Sequence, residues 1–316
     1  MANFLTFDSC NFEVYSDYCK PNLKLYAEKT TKLPDGTSKT LYEANNIQAG
    51  INRITVLPET QQVVISISGK VLPIEHKQLI SQNNIEQVFD IINASTFLET
   101  DCIGILENSV VRSIDFTNNI EVDNVPEYLK AVSCVTSRNY RNETYTGTGE
   151  HAGTTGRVFK GNYKTFKERM LFYDKQAQTQ NKFYAGILRI ENNRSTFDSI
   201  RKDIKGKNTL FDILTSNEKP NLKLFTKILG YNEANKNLYD MAQQATDIKH
   251  LYFEAILQQA GNDMQVVKEI LQIADKTKNR STVSRHMKQI EYYKRNKETG
   301  TTGANYIQDI LKKLSA

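Results

Sequence analysis

From residue 11 to about 72 the apolar residues fall on alternate positions or in short β-branched runs: "NFEVYSDY", "LKLYAEKT", "INRITVLP" and "QQVVISISGKV". A period of two is the side-chain period of a strand. "LPDGTS" and "PETQ" separate these runs, and proline with glycine favours a turn because one fixes φ and the other admits positive φ. The pattern predicts an antiparallel meander. At Ile85, Val88, Phe89 and Ile92 the spacing becomes i, i+3, i+4, i+7, which predicts an amphipathic helix opened by Asn84 or a neighbour.

"SVVRSIDFTNNIEV" returns to period two. "NVPEYLKAVSCV" predicts a short helix with Pro126 in its first turn. Residues 137–157 are polar and glycine-rich without an apolar period, which predicts a long loop. "RVFKGNYKTFKERMLFYDK" predicts a hairpin turning at 161–165, and "FYAGILRIENN" a further strand. "STFDSIRKDI" and "NTLFDILTS" each start with helix-capping residue types.

Strand signals stop at "SNEKPNL", near 217. Beyond it "KLFTKILG", "DMQVVKEILQIADKT", "STVSRHMKQIEYYKRN" and "NYIQDILKKLSA" predict helices, with glycines between them. The expectation is an α+β fold: a largely antiparallel sheet domain over 1–217, then an all-α region over 218–316.

Alternation also sorts each strand into faces. Ser113, Asp115 and Thr117 share one face, opposite Arg112, Ile114 and Phe116. Leu171, Tyr173 and Lys175 share one, opposite Met170, Phe172 and Asp174. Arg189 and Glu191 lie opposite Leu188 and Ile190. Three strands therefore carry Asp115, Tyr173 with Lys175, and Glu191 with Arg189 on faces that a sheet could join. An antiparallel sheet with one solvated face gives the same pattern with no chemistry. If the faces do join, the chemistry is specific. Two carboxylates can hold Mg²⁺ or Mn²⁺, and a phenolate favoured by a nearby cation can attack a phosphodiester. Tyr163, in the same hairpin, competes with Tyr173 for that role.

Composition narrows the classes. The 316 residues are 39% hydrophobic and 24% charged, enough for a packed core. No run of about 18 apolar residues exists, and the N-terminus lacks a secretory pattern, so a cytoplasmic protein without a membrane span is expected. Cys10, Cys19, Cys102 and Cys134 are scattered, which fits free thiols in a reducing compartment. The four histidines form no H-x-H pair; His151 is the one in the glycine-rich segment. A net charge of +5 mildly favours a polyanionic partner.

In the last third, "NDMQVVKEILQIADKTKNRSTVSRHMKQIEYYKR" has the shape of a helix-turn-helix. Val266, Val267, Ile270, Leu271 and Ile273 form the apolar set of the first helix. Val283, Met287, Ile290 and Tyr293 form that of the second. Arg280, Ser281, Thr282, Ser284, Arg285 and Lys288 then face outward at the front of the second helix, where such motifs meet DNA. Two packed amphipathic helices of any kind would read the same way.

"VVRSIDFTNNIEV", "GRVFKGNYKTFKERMLFYDKQAQ" and "YAGILRIENN" together resemble three blocks of rolling-circle replication initiators, the gene II type of filamentous phages and the plasmid initiators lacking a histidine pair. The resemblance spans about 110–195. It implies a metal-dependent DNA nicking-joining enzyme of a small circular phage or plasmid genome. Tyr173 would be the nucleophile with Lys175 beside it. Asp115 and Glu191 would be the carboxylates for Mg²⁺ or Mn²⁺, and Arg189 a contact to DNA phosphate. The implied partners are single-stranded and duplex origin DNA and a host helicase or polymerase. A non-catalytic origin-binding regulator working through the helical tail is the alternative.

Overall fold

The computed structural model describes residues 5–32, 38–73, 79–135, 137, 139–146, 155–161, 168–229, 253, 256–257, 260–261, 263–274 and 280–315. The strands are β1 (Phe7–Tyr15), β2 (Cys19–Pro21), β3 (Ala27–Lys32), β4 (Ser38–Gln48), β5 (Ile51–Leu57), β6 (Gln62–Ser68), β7 (Leu98–Thr100), β8 (Val110–Glu121), β9 (Tyr140–Thr146), β10 (Thr155–Gly161), β11 (Arg169–Asp174) and β12 (Ile187–Arg194). The helices are α1 (Ile85–Ala94), α2 (Cys102–Asn108), α3 (Val125–Ser133), α4 (Lys175–Thr179), α5 (Phe197–Ile204), α6 (Leu210–Leu214), α7 (Pro220–Leu229), α8 (Met264–Ala274) and α9 (Arg280–Ser315).

Ten strands form one sheet in the order β3-β4-β5-β6-β1-β8-β12-β11-β10-β9. Every neighbouring pair is antiparallel. The expected α+β class with a large antiparallel sheet is what the chain forms. The meander β3 to β6 lies in sequence order, and β1 joins it to the second half by pairing with both β6 and β8.

One face of the sheet is apolar and covered by helices. Phe12, Ile65, Ile114 and Phe116 pack with α1, α5 and α6 residues such as Phe89, Ile200 and Ile213. Phe159, Phe172 and Ile190 pack with Tyr128 of α3, Phe225 of α7 and Ile310 of α9. Residues on both sides of position 217 thus share one core. The last turns of α9 are tied down further: Tyr128 Oη donates to Asp309 Oδ2 at 2.6 Å, and Lys313 Nζ donates to the Glu121 carbonyl at 2.8 Å. Lys219 Nζ also reaches the Ser315 carbonyl.

Four local expectations change. Tyr140–Thr146, expected within a loop, is strand β9 at the sheet edge. An edge strand needs no apolar alternation, since one side of its ladder faces water. Arg112 does not share a face with Ile114, because Asn11 pairs with Ser113 and Phe12 with Val111, which leaves Arg112 as a bulge. Its guanidinium instead meets Glu13 across the strands. Helix α9 runs without a break through Gly300 and Gly303, which were expected to end a helix. In α8, Val267 and Leu271 are buried as expected, but Val266 is 36% and Ile273 84% exposed.

Candidate functional site

The second face of the sheet is polar, and the register lines its residues up. Ser9 lies opposite Asp115, Asp115 opposite Asn193, Glu191 opposite Thr117, and Arg189 opposite both Asn119 and Tyr173. Directly opposed residues project to the same side. Asp115, Glu191, Arg189 and Tyr173 therefore stand on one face of three adjacent strands, β8, β12 and β11.

Tyr173 is 1% exposed, and its hydroxyl donates to Glu191 Oε1 at 2.5 Å. Its ring packs on Val158 and Leu171 and lies 5.9 Å from the Tyr145 ring. Arg189 is 3% exposed. Its Nη1 lies 3.0 Å from Asp8 and 3.9 Å from Glu191, and its Nε donates to Asn119 Oδ1 at 2.8 Å. This guanidinium, expected to meet a DNA phosphate, is occupied by carboxylates. Asp115 accepts from the Ser9 hydroxyl at 2.5 Å and from the Asn193 amide. Lys175 reaches the site by another route than strand alternation. Asp174 ends β11 and caps α4, accepting from the Ala177 N–H at 3.0 Å, so Lys175 is the first helical residue. Its ammonium is buried 5.8 Å from the Tyr173 ring centre and donates to Gln178 Oε1 at 2.7 Å.

Burial sets the electrostatics. It pushes the Glu191 carboxyl up to about 7, aided by the nearby charge of Asp8. Burial also raises Asp115, against the hydrogen bonds from Ser9 and Asn193. The Tyr173 phenol is held well above its ordinary value by burial and by Glu191. Lys175 is pulled down to about 8 by burial and by the charge of Arg189. The site thus holds a protonated phenol beside a carboxylate that titrates near neutrality, a pairing suited to proton transfer.

Among the described residues no three His, Cys, Asp or Glu side chains gather as a metal cage. The donor set still suits a hard cation. Asp8, Asp115 and Glu191 repel one another, and Mg²⁺ is commonly held by one or two carboxylates with water and phosphate oxygens completing its shell. Asp115 and Glu191 are the residues that would hold it.

Asp8, Ser9, Asn119 and Asn193 belong to this network and were missed in the sequence. Asn119 and Asn193 were legible, being two positions on from Thr117 and Glu191. Asp8 was not, because it bulges between the Phe7 and Ser9 pairings. Tyr163 and His151 lie outside the described residues. Of the helical-tail candidates, Ser284, Arg285 and Lys288 are exposed on α9. Arg280, Ser281 and Thr282 form its first turn, and their side chains are outside the described set. Helices α8 and α9 pack through Val267, Leu271, Val283 and Ile290.

Gly156 of β10 backs the site directly opposite Tyr173. A Cβ there would stand 2.4 Å from the Phe172 carbonyl oxygen and 2.7 Å from Tyr173 Cβ. Neither atom is the free end of a flexible chain. Gly156→Ala is expected to destabilise the protein by about 1–3 kcal/mol, the usual scale of overpacking, read as a lower urea midpoint.

The raised Glu191 predicts a pH dependence. A carboxyl that binds its proton more tightly when folded stabilises the fold fully below its ordinary pKa. That contribution is lost as pH rises through the folded value, here about 7. Lys175 acts with the opposite sign at higher pH: its stabilising effect is present above the ordinary lysine range and lost as pH falls through about 8. The melting temperature should therefore fall between pH 4.5 and 7, and Glu191→Gln should flatten much of that slope. An unchanged slope in the variant would remove Glu191 as its source.

No family model, curated protein or solved structure matches this chain. Among the described residues no helix is long and apolar enough to cross a membrane.

Proposed function

We propose that this protein is the replication initiator of a small circular phage or plasmid genome, which nicks and rejoins one origin strand through a tyrosine. The observation that supports this most is the 2.5 Å hydrogen bond from the Tyr173 hydroxyl to Glu191, on a polar face shared with Asp115. A non-catalytic DNA-binding regulator gives no reason for Asp115, Glu191 and Tyr173 to converge, whereas here they share one face of adjacent strands.

In this reading Glu191 takes the Tyr173 proton. The phenolate oxygen bonds to phosphorus as the bond from phosphorus to the 3′ oxygen breaks, leaving a 5′-phosphotyrosine. The leaving 3′ oxygen gains a proton from Lys175 and becomes a 3′-hydroxyl for a polymerase. Rejoining is the same transfer reversed, so no ATP is consumed. Bound Mg²⁺ or Mn²⁺ would offset charge on the phosphoryl oxygens. Exposed Arg285 and Lys288 suit phosphates of duplex origin DNA, with α8 and α9 as a helix-turn-helix. A host helicase or polymerase is the further partner of this reading.

A second reading of the nucleophile is favoured by burial. With its phenol 1% exposed, Tyr173 must be uncovered before a strand can reach it. If Tyr173 is instead a strut for Glu191, Tyr163 is the nucleophile. The test mixes the protein with Mn²⁺ and single-stranded origin DNA and looks for a covalent adduct on a denaturing gel. Absence of an adduct with every origin strand overturns the enzyme reading; peptide mapping of an adduct separates Tyr173 from Tyr163.

A further inference from the structure

Besides the basic run at 276–297, a second stretch carries an excess of positive charge: residues 194–227 hold eight basic and four acidic side chains. This stretch contains α5, α6 and α7. Between α5, α7 and the ends of β10 and β12 lies an open cleft of about 680 Å³. It is on the helix-covered side of the sheet, since Arg194 lies opposite the core residue Ile114.

Arg194 forms the floor of the cleft and is 3% exposed. Its Nε donates to Asp203 Oδ2 at 2.6 Å. Its Nη1 is buried without a hydrogen bond, and Glu168 stands 3.4 Å away. Glu168 is already engaged by Lys227 at 2.7 Å and by the Tyr140 hydroxyl. Lys227 thus offsets Glu168, Arg194 itself holds Asp203, and Asp198 is the third carboxylate of the lining. Lys223 and Lys202 also line it. Lys223 pairs with Glu218, which is outside the lining, and Lys202 has no ion-pair partner among the described residues. A buried guanidinium with one donor lacking a hydrogen bond, beside Lys202, Lys223 and Lys227, suits a phosphoryl group, which offers several acceptor oxygens.

We propose that this cleft binds backbone phosphates of the DNA strand, as a second contact separate from the polar face that carries Tyr173. The inference rests on the reading of the protein as one that acts on DNA. Backbone phosphates and a free nucleotide share the same chemistry; the exposed Arg201, Lys205 and Lys207, outside the lining and next to Lys202 in sequence, favour the strand.

The test uses the full chain in EDTA, so that binding is read without cleavage. Anisotropy of a short labelled single strand is measured across a salt series for the wild type, Lys202→Gln/Lys223→Gln and the distant Lys130→Gln. Arg194 is left intact because its removal would disturb the core. The double variant should bind several-fold more weakly, and its salt slope should drop by about 0.7 per lysine removed; Lys130→Gln should match the wild type. Equal affinity and slope in the double variant overturn the cleft assignment while leaving the Tyr173 adduct assay unaffected. If instead the double variant loses only binding of thymidine monophosphate, the cleft is a nucleotide pocket and the strand assignment fails. A wild type that binds no strand overturns this inference together with the reading beneath it.

Discussion

Tyr173→Phe is expected to abolish the covalent adduct and to lower strand cleavage by about three orders of magnitude or more, the scale on which loss of a nucleophile shows. The substitution removes a single oxygen. The ring keeps its packing on Val158 and Leu171, so the fold should survive. It does leave Glu191 without its phenolic donor, and losing a buried partner of this kind costs about 1–3 kcal/mol. Cleavage is therefore compared well below the melting temperature. The informative outcome is a split between the two readouts: a modest drop in stability with a complete loss of adduct. An adduct that forms at the wild-type rate removes Tyr173 from the chemistry and turns attention to Tyr163.

Arg189→Met should give the largest loss of stability of any single substitution at the site. Arg189 is buried, pairs with Asp8 at 3.0 Å, and separates Asp8 from Glu191. Removing Arg189 leaves Asp8 uncompensated; because Asp8 is 29% exposed and partly screened by water, the cost should sit at the low end of the buried-pair range, about 3 kcal/mol. For a chain of this length that corresponds to a fall in Tm of roughly 10 °C. Glu191, raised to about 7, is neutral at pH 5 and then no longer repels Asp8, so the loss should be smaller at pH 5 than at pH 8. Asp8→Asn should rescue part of it, and the double-mutant cycle should show coupling of about 1 kcal/mol or more. Purely additive effects would mean that Arg189 contributes through its packed stem and not through its charge.

Alternation placed Asp115, Tyr173 and Glu191 on polar faces, and the register joins those faces across β8, β11 and β12. It worked there because no bulge interrupts those strands at the residues concerned. The same rule failed at Asp8 and Arg112, where one extra residue shifts the count. It reached Lys175 for the wrong reason, since β11 has already ended and a helical turn brings the ammonium back. Strand β9 was hidden because "YRNETYT" has no apolar period to read. Strand order was hidden as well: nothing local to β1 says that it pairs with both β6 and β8, because such pairing depends on contacts distant in sequence. The glycines near 300 argued for a helix end, and that propensity gave way within α9.

The seating of the last turns of α9 against Tyr128 and Phe225 bears on how the chain is made. Ile310 and Leu314 complete a core whose other members were translated much earlier, Leu224 and Phe225 among them. At ribosomal speeds of about 5–20 residues per second, the sheet waits several seconds for Ile310 and Leu314. During that interval an apolar stripe over α3 and α7 stands open to chaperones or to another nascent chain. A stop codon before Ile310 would make the exposure permanent, so loss of Ile310 and Leu314 should resemble a folding defect of the whole sheet.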